Sequence, residues 1–107
     1  MVTFNGTYIG YFHRANMDTS QVSIRFIANA FDGQASKLNY PAIGKGSFEQ
    51  KENTIRFNDT TLKYSNLDST LILNGIYRYD FNEDGTIRIW KKIGSKTNEF
   101  ILKRPVR

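Results

Sequence analysis

Apolar side chains recur at every second residue through the last third of the chain, and this rhythm limits the fold more than any other feature. Leu71, Leu73, Tyr77, Tyr79 and Phe81 alternate with other residues, Ile87 and Ile89 follow the same pattern, and Phe100 and Leu102 close the series. Asn82-Glu83-Asp84-Gly85 and Gly94-Ser95 interrupt it with hairpin-turn chemistry. Successive side chains of a strand point to opposite faces, so this spacing with these breaks predicts three antiparallel strands from Leu71 to Arg104.

The rest of the chain repeats the pattern. Gly6 to Arg14 reads as a first strand, with Gly6, Tyr8, Gly10 and Phe12 on one face and Thr7, Ile9, Tyr11 and His13 on the other. Gln21 to Asn29 reads as a second, with Val22, Ile24, Phe26 and Ala28 facing one way. Phe31-Asp32-Gly33 is expected to turn the chain, and residues 30–42 to form a long connection that holds a short strand or covers a barrel mouth. Ile43 to Lys51 and the stretch around Ile55 and Phe57 are further strands, and residues 58–70 read as a loop with room for one weak strand. No segment carries apolar residues at helical spacing for three turns. The predicted fold is all-β, an up-and-down antiparallel meander of about eight strands closing into a small barrel, with residues 1–107 as one domain. A five-stranded OB-type barrel would leave strands unused. Gly6, Gly10, Gly44 and Gly46 are the expected closure points, since a missing side chain lets a strand bend or another backbone approach.

Composition removes several chemistries. There is no cysteine, so disulfides, zinc–thiolate sites and thiol catalysis are excluded, and His13 is the only histidine. No apolar run is long enough to span a bilayer as a helix. No signal peptide opens the chain, and one is expected to have been removed ahead of Met1. The net charge of +5 is unevenly placed. Residues 1–84 hold 8 basic and 9 acidic side chains, whereas residues 85–107 hold 7 basic ones and Glu99 alone. Such a patch either attracts an anionic partner or serves as a lysine-guarded sheet edge.

Arg88, Trp90 and Lys92 share one face of a predicted strand, opposite Ile87, Ile89 and Ile93. A ring between two cations suits stacking on a base or sugar beside a phosphate or carboxylate, and Tyr77 joins them as a candidate ligand contact. Turned inward, the same cations would meet the head group of an amphiphile at the barrel mouth. Asp80, Asn82 and Asp84, with Gly85 and Ile87, follow the first positions of a calcium loop, but Lys91 stands where a bidentate glutamate belongs. A hairpin turn accounts for the same residues, so no metal or other cofactor is expected. His13 beside Arg14 reads as a surface residue, no nucleophile elbow is present, and the carboxylate pairs fall at turns. The chain is not expected to be an enzyme.

Gly6-Thr7-Tyr8-Ile9-Gly10-Tyr11-Phe12 resembles the first strand of small lipocalin-like (calycin-like) barrels from exported bacterial proteins. Tyr40 to Gly46, Ile55-Arg56-Phe57, Leu71 to Tyr77 and Phe100 to Arg104 extend the resemblance over nearly the whole chain. It departs from larger lipocalins in lacking a Gly-x-Trp opening and disulfide cysteines. The resemblance implies an extracytoplasmic, cell-envelope location, often behind a lipid anchor, and supplies no catalytic residues. The expected function is therefore a non-enzymatic, monomeric binding module for a small apolar or amphiphilic ligand or an envelope protein. The alternatives are nucleic-acid or polyanion binding through the basic C-terminal hairpin, and a ligand-free structural domain.

Overall fold

The computed structural model describes residues 3–15, 17–37, 40–61 and 68–105. They form eight strands: β1 (Gly6–Arg14), β2 (Thr19–Ile27), β3 (Ala30–Ala35), β4 (Lys45–Gln50), β5 (Thr54–Asp59), β6 (Gly75–Phe81), β7 (Ile87–Ile93) and β8 (Lys96–Lys103). Each pairs antiparallel with the next, and β1 pairs with β8, from Ile9 opposite Lys103 to Arg14 opposite Asn98. The predicted meander is thus a closed barrel without a free sheet edge, which removes the template for edge-to-edge aggregation.

The alternation decides which face is buried. Tyr8 and Phe12 of β1, Val22, Ile24 and Phe26 of β2, and Ile87 and Ile89 of β7 point inward and are buried. Rings fill the barrel from mouth to mouth. Phe81 meets Phe4, Phe4 meets Phe26, and contacts continue through Phe57, Tyr77, Phe100 and Phe12 to Tyr40, with centroids 4.9–6.2 Å apart. Each such side chain contributes roughly 1.5–3 kcal/mol by leaving water. Rings take most of the buried interior positions, and Val22, Ile24, Ile55, Leu73, Ile87, Ile89 and Leu102 fill the rest.

Two places depart from the sequence reading. The turn between β2 and β3 falls at Ala28-Asn29, because Ile27 pairs with Ala30, and Ala28 takes the left-handed conformation with φ 54°. Asp32-Gly33, which reads as a turn, lies inside β3, and Gly33 sits there because Ser23 of β2 presses close to its Cα. Leu71 and Leu73 also lie outside the strands. Leu71 ends a short 3₁₀ turn (Ser69–Leu71), and Leu73 seals one barrel mouth, fully buried, after Ile72 bridges to Ala42. Leu62, Tyr64 and Leu67, the apolar residues of the predicted 58–70 loop, lie outside the described residues.

Candidate binding surfaces

Each mouth is closed by a polar clasp over an apolar plug. At one end Arg14, 3% exposed, donates from Nε to Asn98 Oδ1 at 2.7 Å and from Nη2 to the carbonyl and hydroxyl oxygens of Thr70, both at 2.9 Å. Asp68 stands 4.0 Å away, and hydrogen bonds from the Thr70 hydroxyl and amide hold its carboxyl below the usual range. At the other end the Phe4 amide donates to Gln50 Oε1, Gln50 donates to the Tyr79 hydroxyl, and that hydroxyl donates to the Lys51 carbonyl. Arg104 lies over the Tyr8 ring and donates to the Asn5 carbonyl. Among the described residues no buried side-chain nitrogen or oxygen lacks a partner.

The sequence candidates separate. Tyr77, 1% exposed, lies inside the barrel, its hydroxyl directed at the Ile72 carbonyl and its pKa raised by burial to about 12. Arg88, Trp90 and Lys92 lie outside, as the inward isoleucines require. Tyr77 therefore does not share a site with them. The Arg88 guanidinium is 4.1 Å from the Trp90 ring centroid and is bonded to Glu99, which also faces His13 at 3.7 Å. Lys91 folds back, with Nζ 3.1 Å from the Asn74 carbonyl and over the Tyr77 ring. The cations of the basic C-terminal hairpin thus have different tasks, and only part of them remains free.

The residues resembling a calcium loop make a hairpin turn. The Asn82 amide donates to the Thr86 carbonyl, the Gly85 amide donates to the Asn82 carbonyl, and Gly85 takes φ 90°. Asp84 Oδ1 accepts from the Thr86 amide and hydroxyl, and these bonds pull its pKa down. Asp80 stands on the outer face of β6 opposite Arg88. No three carboxylate or imidazole groups converge among the described residues.

An apolar concavity lies on the outside. An open groove of about 650 Å³ runs over β1 and its neighbours, lined by Ile9, Tyr11, Ser23, Gln34, Ile101 and Lys103, with Gly10 at its floor. Ile9 is 42% exposed and Tyr11 56% exposed. The sequence carried this signal, because both faces of Gly6–Arg14 bear large apolar groups where a half-buried strand needs only one. Comparison with family models, curated proteins and solved structures finds no match for this chain.

Proposed function

We propose that this chain is a non-enzymatic binding module of lipocalin-like descent that holds an amphiphile against the outside of its barrel rather than within it. The carrying observation is the contrast between the two surfaces. The interior is packed with rings from Phe81 to Tyr40, while Ile9, Tyr11 and Ile101 border an open groove of ligand size outside. An alkyl chain along Ile9, Tyr11 and Ile101 would leave its head group near Lys103, on the neighbouring position of β8. An extracytoplasmic location in the cell envelope, where amphiphiles abound, belongs to the same reading.

Titration of ¹⁵N-labelled protein with monomeric dodecanoate tests it. Amide shifts should cluster at Gly10, Tyr11, Ser23, Ile101 and Lys103, and Tyr11→Ser should weaken binding. Shifts centred on Phe57, Tyr77 and Phe100, or none up to the solubility of the probe, would refute the groove.

A further inference from the structure

Across the barrel from that groove, the outer face of β5, β6 and β7 carries a different pattern. Ile76 is 58% exposed, more than any other large apolar side chain described. Arg56 pairs with it across the strands, and Arg78 follows two residues later on the same face. Arg78 pairs with Trp90, and its guanidinium lies 6.0 Å from the ring centroid. Lys92 follows Trp90 on the same face, in the direction the antiparallel register also sends Ile76. Among the described residues no ion pair holds Arg56, Arg78 or Lys92. Three carboxylates border this face: Glu99 is bonded to Arg88, Glu49 lies opposite Arg56 and pairs with Lys51 at 3.9 Å, and Asp80 stands two residues beyond Arg78, opposite Arg88.

From this arrangement we infer that the β5–β6–β7 face docks on an anionic lipid surface. Three unpaired cations around one protruding isoleucine match a headgroup layer, where guanidinium and ammonium groups meet phosphates and the apolar side chain enters the acyl boundary. A half-buried tryptophan beside them is the side chain that prefers that depth, with an apolar body and one N–H to satisfy. A nucleic-acid strand fits less well. It offers nothing to Ile76, and the Arg88 guanidinium, 4.1 Å from the Trp90 ring centroid, stands where a base would stack. The proposal stands independently of the groove, which lies on other strands.

The test uses the intact protein with phosphatidylcholine vesicles, prepared with or without phosphatidylglycerol. Co-sedimentation and a blue shift of Trp90, the single tryptophan, are expected only with phosphatidylglycerol, and both should fall as salt rises. Each cation near an anionic surface contributes about a five-fold gain in partitioning, so R56Q/R78Q/K92Q should lose on the order of 10²-fold. Ile76→Ser should weaken binding and remove much of the blue shift, while Ile27→Ser, an equally exposed apolar position on β2, should leave both unchanged. Circular dichroism checks that the variants fold, since each change is on the surface. Equal binding to both vesicle types, no binding at low salt, or a triple variant that binds like the parent would overturn the proposal. So would a single-stranded oligonucleotide that quenches Trp90 and displaces the vesicles, which would assign the face to nucleic acid.

Discussion

A β-branched residue at position 10 should break the barrel at its seam. Gly10 faces Leu102 in the β1–β8 ladder, between the pairs Ile9–Lys103 and Tyr11–Ile101. A Cβ built on Gly10 would lie 2.8 Å from the Ile101 carbonyl carbon and 2.9 Å from Leu102 Cα, with the Ile101 carbonyl oxygen nearer still. Ordinary contact begins near 3.4 Å, and the obstructing atoms are backbone, so no side chain can rotate away. The two strands must part by more than about half an ångström, enough to weaken flanking ladder bonds contributing roughly 0.5–1.5 kcal/mol each. Adding the usual 1–3 kcal/mol of overpacking gives an expected loss of about 3 kcal/mol for Gly10→Val. Strand propensity alone favours valine by up to about 1 kcal/mol, so the two arguments differ in sign. Urea melts decide. At about 1–2 kcal/mol/M the midpoint should drop by roughly 1.5–3 M. Gly94→Ala is the control, because Gly94 has φ 62° with nothing near its Cβ position, leaving only the left-handed penalty of about 1–2 kcal/mol. A Gly10→Val midpoint at or above the parent's would refute the close-approach argument.

Three further outcomes are expected. Arg14→Leu should cost about 2–4 kcal/mol in the same melts, because the buried Asn98 oxygen and the Thr70 carbonyl lose a charged donor, and hydrogen exchange should quicken first at Ser69–Leu73. Ala28→Asn should raise stability by about 0.5–1 kcal/mol, since asparagine tolerates the left-handed conformation that alanine is forced to adopt there. The Asp84 carboxyl has a folded pKa below its unfolded value through its bonds from Thr86. Its stabilisation is therefore fully present above about pH 4 and is lost as pH falls through the depressed value. The midpoint gap between parent and Asp84→Asn should close over that acid range and stay constant above it.

What was legible in the sequence follows from which signals are local. The alternation of Ile87, Ile89, Phe100 and Leu102 survives into the structure as inward-facing strand positions, because period two with one buried face has a single solution. The turns at Asn82–Gly85 and Gly94-Ser95 were readable because glycine there takes positive φ. The turn at Ala28-Asn29 was hidden by an alanine doing what glycine usually does. Gly33 misled for the opposite reason: it answers to Ser23 on the neighbouring strand, a non-local contact. Gly6 takes φ 94° and a Cβ there would find only ordinary contact, so it serves the backbone's path into β1 rather than barrel closure. Gly46, pressed by Asn58 of β5, does close the wall.

The candidate site was less legible because chemistry depends on which face of a strand turns outward and on what lies across the ladder. Arg88, Trp90 and Lys92 share a strand face, and the inward isoleucines settle that it is the outer one. Their charges, however, are not equivalent. Glu99, brought opposite Trp90 by the β8 register, removes Arg88 from the free set, while Arg56 and Arg78 arrive from strands whose segments have no basic excess. The exposed cationic surface is thus assembled by closure of the barrel. The face inferred to dock is centred on β6 and takes only Trp90 and Lys92 from the C-terminal hairpin, where the sequence concentrates charge. The filled interior has a parallel origin. Eight short strands enclose little more than their own inward side chains, and this chain places phenylalanine or tyrosine at most of those positions. The recognition we propose for this barrel therefore falls on its outer wall, where apolar residues at outward positions, Ile9, Tyr11 and Ile76, break the alternation that builds the fold.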